Sequence, residues 1–188
     1  MQIACLGWGS LIWNQDNLPL SSGWNSDGPN LPIEFARESA DGRMTLVLLD
    51  DAKQSTALWA ILSATDIEIA KADLAKREGV SENNIKYSIG YWESNSGMSH
   101  GTCSEEISRW ALEKELDGVV WTNLKYGFQS ARGKLPTLAG VIEHLNGLSP
   151  EKKCVAEEYV RKTPVQVRTE FRNELENKLG WLPVNGNA

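Results

Sequence analysis

The first residues of the chain combine an apolar strand with a glycine-containing turn. Residues 2–6 read Gln-Ile-Ala-Cys-Leu, and Gly7, Trp8, Gly9 and Ser10 follow directly. Because glycine allows unusual backbone angles and close approach, the N–H groups of such a turn can converge on one oxygen atom. The segment therefore predicts a buried strand that ends in a loop able to bind a phosphate, carboxylate or carbonyl oxygen.

Composition and charge exclude several classes of protein. The 188 residues suffice for one domain, and 41% hydrophobic with 23% charged residues is ordinary for a soluble globular chain. The net charge is −6 and the lysines and arginines are scattered, so we expect no nucleic-acid partner. Cys5, Cys103 and Cys154 are far apart, which argues against a disulfide framework or a zinc site.

Hydropathy bears on location. No window reaches the roughly 20 apolar residues needed to span a bilayer, so no membrane partner is expected. Met1 leads straight into the predicted strand, without the basic and apolar regions of a signal peptide. These features favour a cytoplasmic protein. They leave open whether it forms a homodimer.

Periodicity predicts both strands and helices. Strands are expected over residues 2–6, 33–39, 43–49, 57–62, 85–92 and 118–122. The Asp41-Gly42 pair predicts a hairpin, and residues 57–62 are apolar throughout, which is typical of a central strand. Helices are expected to start near Thr65-Asp66, Ser104, Pro136, Ser149-Pro150 and Thr163-Pro164, with a loop over residues 14–32 and a frayed end over 185–188.

This order of elements predicts an α+β fold. The expected sheet is mixed, mostly antiparallel, and closed or nearly closed into a small barrel with peripheral helices. We expect an α+β domain over residues 1–125. A helical C-terminal extension over residues 126–188 is expected to pack on that domain.

A second motif follows a predicted strand and helix and supplies a carboxylate. It reads Arg77-Glu78-Gly79, with Tyr87 shortly downstream. Together with the segment Trp-Gly-Ser-Leu-Ile-Trp over residues 8–13, it resembles the γ-glutamylcyclotransferase-like superfamily, including its glutathione-specific, ChaC-like branch. The resemblance covers roughly residues 2–92. Trp8 stands where that family usually has tyrosine, and the C-terminal third has no match in the resemblance.

The resemblance implies an enzyme that releases 5-oxoproline from a small γ-glutamyl substrate. The substrate's own α-amine attacks its γ-carbonyl, so the protein supplies proton transfer and an oxygen-binding loop and needs no metal or cofactor. Glu78 would be the general acid and base. The γ-glutamyl part would be bound by Gly7, Trp8, Gly9, Ser10 and Leu11.

Two other interpretations stand beside this one. Without the resemblance, Glu78 is most simply a solvated residue at a helix end, where a negative charge opposes the helix dipole. Trp8 and the unmatched C-terminal third also allow a non-catalytic protein that keeps the same fold and binds small molecules, or an interaction protein that works through its C-terminal helices.

Overall fold

The computed structural model describes residues 1–184, and these form a mixed α+β structure with two sheets. Its strands are β1 (Ile3–Gly7), β2 (Asn30–Glu38), β3 (Met44–Leu48), β4 (Gln54–Thr56), β5 (Leu58–Ile61), β6 (Ile89–Glu93), β7 (Ser99–His100) and β8 (Gly118–Thr122). Its α-helices are α1 (Ile67–Arg77), α2 (Ile85–Ser88), α3 (Ser104–Glu113), α4 (Leu138–Asn146), α5 (Pro150–Lys162) and α6 (Glu170–Leu179).

Backbone packing divides the chain into two compact units. Unit 1 contains Met1–Gly7, Asn14–Leu31 and Thr56–Leu124. Unit 2 contains Trp8–Trp13, Pro32–Ser55 and the described residues from Lys125 onward. The predicted division into residues 1–125 and 126–188 stays a prediction.

The sheet of unit 1 has five strands in the order β5-β1-β8-β6-β7. Strand β1 pairs antiparallel with β5 and parallel with β8, and all five of its residues are buried. The expectation that residues 57–62 form a central strand was wrong, because β5 lies at the edge of the sheet. Isolated bridges from Leu20 to Leu62 and from Asn25 to Trp59 lie along this segment, in which Leu58, Ala60 and Leu62 are buried.

Of two further local predictions in unit 1, one was wrong and one is confirmed. Residues 85–92 were expected to be one strand, but α2 occupies the first half and β6 the second. Tyr87 lies on α2 and is 59% exposed. Helix α1 starts near Thr65-Asp66 as expected, and its N-cap is Asp66, whose carboxylate accepts a hydrogen bond from the Ile69 N–H at 2.9 Å.

Unit 2 contains the predicted hairpin. Strands β2 and β3 pair antiparallel from Ile33 with Leu48 to Glu38 with Met44, and a bulge lies between Phe35 and Arg37. Gly42 has φ of +88°, as the tight turn between the two strands requires. The hairpin prediction is therefore confirmed, and β4 lies on the other side of β2.

The C-terminal helices start partly where the sequence predicts. Ser149 caps α5 and Pro150 is its first residue, as expected. The last helix was expected to open at Thr163-Pro164, but α6 begins at Glu170, with Thr169 as its N-cap. The predicted frayed end at residues 185–188 lies outside the described residues.

The predicted α+β class is confirmed. Strands β1 and β8 pair in parallel, whereas the pairs β1–β5, β2–β3, β6–β7 and β6–β8 are antiparallel. The strand orders described for residues 1–184 show no closed barrel, so closure into a barrel stays a prediction. Over the same residues, none of the helices has the length and apolar character required to cross a bilayer.

Candidate functional site

The glycine turn begins where β1 ends. Gly7 is the last residue of β1 in unit 1, and the rest of the turn belongs to unit 2. The Ile12 N–H donates to the Gly9 carbonyl at 3.0 Å and closes the turn. Trp8 and Leu11 are only 3% and 5% exposed, so the turn is a packed part of unit 2.

Trp8 anchors the turn to strand β3. Its indole Nε1 donates to the Leu46 carbonyl at 3.3 Å. Because Nε1 is the single polar atom of this side chain, we expect Trp8 to shape the turn, not to donate to a ligand.

Gly9 is required for space and not for an unusual backbone angle. Its φ is outside the left-handed region, but a Cβ built there would lie 2.3 Å from Oη of Tyr159 and 3.3 Å from its Cζ. Tyr159 lies on α5 and is 5% exposed. Close approach at this glycine was predicted, but Tyr159 as the neighbour was missed. The apolar stripe of α5, with Ala156 and Val160 on either side of this position, was the available signal.

Glu78 is held at the C-terminal end of α1. Its backbone N–H donates to the Leu74 carbonyl at 3.0 Å, and its side chain is 17% exposed. Oε1 accepts from Nη1 of Arg77 at 2.5 Å, and Nη2 of the same guanidinium donates to the Asn14 carbonyl at 2.5 Å. Glu78 is therefore a shielded carboxylate in an ion pair, unlike a solvated residue at a helix end.

The charge of Glu78 acts on the interior of β1. Cys5 on that strand is fully buried, and burial is the main reason why the pKa of its thiol is raised. The negative charge of Glu78 raises the pKa further, and Arg77 opposes this effect. Cys5 is consequently a neutral core residue, and the carboxylate lies within electrostatic reach of the strand that leads into the turn.

The structure thus brings the candidate residues together in two groups. Within unit 1, the charges of Glu78 and Arg77 act on Cys5 of β1, the strand that ends at Gly7. Within unit 2, the turn packs on Leu46 of β3 and Tyr159 of α5.

Unit 2 also has an open cavity of about 570 Å³ that the sequence did not predict. It is lined by Glu38, Phe128, Gln129, Ser130, Gly140, Glu143 and His144. The Glu38 carboxylate accepts from the Gln129 N–H at 2.7 Å, and the His144 Nε2 bonds the Gly42 carbonyl at 2.7 Å. These polar groups hold the β2–β3 hairpin in place.

Side chains suited to metal binding are not clustered in the part of the chain that the structure describes. No set of three or more histidine, cysteine, aspartate and glutamate residues is arranged there to hold an ion.

Comparison with solved structures identifies the class of fold. The chain is similar to the crystal structure of the γ-glutamyl cyclotransferase specific to glutathione from yeast. The sequences are 14% identical, the match covers 96% of this chain and 98% of the yeast chain, and the TM-score is 0.51. At this identity the likeness concerns the fold alone. No protein-family model matches the chain, and no curated protein matches it.

Proposed function

We propose that the protein is a γ-glutamylcyclotransferase-like enzyme that releases 5-oxoproline from a γ-glutamyl amine or peptide. The observation that carries the proposal is the Glu78 carboxylate, which is 17% exposed and fixed by Arg77 at the end of α1. The shared fold, which extends over 96% of the chain, supports it. So does the glycine turn directly after β1.

The proposed reaction needs one proton carrier. A new C–N bond forms between the α-nitrogen of the substrate and its own γ-carbon, and the original γ-amide C–N bond breaks. Glu78 takes one proton from the α-ammonium group before the attack, and the attacking nitrogen gives up a second proton after the new bond forms. Both protons pass in turn to the departing nitrogen, which leaves as an ammonium ion, so the ring nitrogen keeps one hydrogen and no water is consumed. General acid–base catalysis of this kind contributes about 10²–10⁴-fold to the rate.

The turn over Gly7–Leu11 would hold the γ-glutamyl part. Its backbone N–H groups are suited to the substrate carboxylate or to the oxyanion that develops on the γ-carbonyl. A bent, pre-oriented substrate brings the amine to the carbonyl without a second reactant, and this orientation can supply about 7–11 kcal/mol of the barrier. In this proposal no metal or cofactor takes part.

A panel of γ-glutamyl compounds tests the proposal. Glutathione, γ-glutamyl dipeptides and γ-glutamyl amines would each be incubated with the protein, and 5-oxoproline measured by mass spectrometry. We expect turnover of at least one compound by the wild type and none by Glu78→Gln. The matched control is Glu82→Gln, because Glu82 is an exposed glutamate four positions further along, and this variant should retain full activity.

The outcomes separate this proposal from its alternative. Sustained turnover excludes a protein that only binds small molecules or partners. Equal turnover by the wild type and by Glu78→Gln removes Glu78 from the mechanism. Binding of a γ-glutamyl compound without any 5-oxoproline favours the non-catalytic alternative. Circular dichroism of each variant checks that the loss of activity is not a loss of fold.

A further inference from the structure

We propose that Tyr159 on α5 is a positioning residue that sets the shape of the turn over Gly7–Leu11. The inference rests on the proposed function in one respect, namely that this turn binds the substrate. It assigns part of the site to a C-terminal helix that the sequence resemblance does not reach.

The turn, β3 and α5 are joined at Leu46. The Leu46 N–H donates to Oη of Tyr159 at 3.3 Å, and the Leu46 carbonyl accepts from the Trp8 indole at 3.3 Å. The same phenol oxygen occupies the space beside Gly9, where a Cβ would come within 2.3 Å of it. Leu46 therefore holds both the Tyr159 phenol, which lies beside Gly9, and the Trp8 indole, which belongs to the turn.

Tyr159 is held firmly enough to act as a support. Its ring packs edge-on against Trp13 at 5.5 Å and against Phe35 at 6.1 Å between centroids. The Arg43 guanidinium lies 5.2 Å from the ring centroid, in a cation–π arrangement. Because the ring is enclosed in this way, a displaced turn cannot be accommodated by a simple rotation of the tyrosine.

A small shift of the turn would matter for chemistry. Oxyanion donors work when they lie about 2.7–3.1 Å from the developing charge. A misplacement of about 1 Å can cost on the order of 100-fold in rate. Tyr159 would therefore affect the rate through the backbone of Gly9, without touching the substrate itself.

The first test is a double-mutant cycle on 5-oxoproline release. We expect Gly9→Ala to lose about 100-fold in kcat, because its methyl group collides with the phenol oxygen. Tyr159→Phe should lose about 10-fold. The double variant lacks that oxygen, and its nearest atom would be Cζ at 3.3 Å, so it should be at least about 10-fold more active than Gly9→Ala. The matched controls are Gly23→Ala, where a Cβ meets open space, and Tyr126→Phe, and both should retain wild-type activity.

The second test reads the turn directly and needs no substrate. In protein labelled with ¹⁵N-tryptophan, the Trp8 indole signal is assigned by its disappearance in Trp8→Phe. Gly9→Ala and Tyr159→Phe should both change the chemical shift of this signal, whereas Gly23→Ala and Tyr126→Phe should leave the shift unchanged.

The two tests fail in distinguishable ways. If no γ-glutamyl compound is turned over, the proposed function fails, and the indole signal still decides whether Tyr159 shapes the turn. A Trp8 signal that is unchanged in both Gly9→Ala and Tyr159→Phe overturns the inference. Strictly additive losses of activity in the double variant, with no recovery, also overturn it.

Discussion

Replacement of Arg172 by methionine should strongly destabilise the protein. The guanidinium on α6 is fully buried, and it donates four hydrogen bonds to three backbone carbonyls and one carboxylate of unit 2. Nη1 donates to the carbonyls of Pro164 at 2.7 Å and Val167 at 2.8 Å, and Nη2 donates to that of Thr163 at 2.9 Å. Nε donates to Glu176 at 3.0 Å.

The expected magnitude follows from these partners. Hydrogen bonds to a charged group contribute about 1.5–3 kcal/mol each, so the three carbonyl bonds amount to roughly 5–9 kcal/mol before costs. Desolvation of the guanidinium costs several kcal/mol, and this burial also lowers its pKa while the Glu176 carboxylate raises it. Arg172→Met keeps most of the apolar volume but removes all four of these hydrogen bonds, although the Pro164 carbonyl still accepts from the Val167 N–H and Glu176 still faces Arg168. We expect a net loss of about 3–5 kcal/mol in the free energy of unfolding.

Equilibrium urea unfolding followed by circular dichroism measures this loss. The matched control is Arg168→Met, because Arg168 is 49% exposed and lies 3.6 Å from Glu176, so its loss should stay below about 1 kcal/mol. Arg172→Lys keeps the charge but not the planar guanidinium, so its loss in the free energy of unfolding should lie between the losses of the two methionine variants. If Arg172→Met is within about 1 kcal/mol of the wild type, the network does not stabilise the fold as argued.

Two further predictions concern buried ionisable groups. Burial raises the pKa of Glu34, so its protonated form is favoured in the folded state. The protonated carboxyl then contributes stability that is fully present below its unfolded pKa of about 4.3 and is lost as pH rises through its folded pKa. In thermal melts the wild type should therefore gain stability relative to Glu34→Gln as pH falls towards about 4. A pH-independent difference between the two proteins would contradict this. Mass spectrometry after brief treatment with a thiol reagent should find exposed Cys154 modified and Cys5 intact until urea is added, whereas modification of Cys5 in the native protein would show that its site opens.

The elements that the sequence predicted well depend on local signals. The hairpin followed from Asp41-Gly42, and its turn has Gly42 at φ of +88°. The start of α5 followed from Ser149-Pro150, and the Ser149 hydroxyl does accept from the Lys152 N–H. In each case the deciding interaction lies within four residues of the chain, so a local pattern contains it.

The elements that the sequence misplaced depend on distant partners. Arginine is ordinarily a surface residue, so the charged stretch over residues 168–178 gave no sign that Arg172 is buried. Its guanidinium donates to the carbonyls of Thr163, Pro164 and Val167, which lie in the segment where the sequence predicts a helix start and the structure has none. Strand β5 shows the same limit, because its apolar run fits a central strand as well as an edge strand covered by a loop.

For the candidate site, too, the sequence predicts the features that depend on near neighbours and misses those that depend on distant residues. The position of Glu78 at the end of a helix could be predicted, because Gly79 follows it with φ of +65° and α1 ends there. Its shielding could not be predicted, since the Arg77 guanidinium is directed by the Asn14 carbonyl, which is remote in sequence. Sequence order supplies the carboxylate, and tertiary structure supplies the environment that makes it a candidate for catalysis.

Gly9 shows most clearly how the two kinds of information combine. A glycine in a turn suggests backbone freedom, but the φ of Gly9 is one that other residues adopt, so freedom of rotation is not the constraint. The constraint is the phenol oxygen of Tyr159, which occupies the place of a side chain. It follows that the requirement for glycine in the turn is created by α5, and that substitutions at the two positions are coupled. The C-terminal helix α5 therefore helps to determine the shape of this turn, and a change at Tyr159 alters which side chains fit at position 9.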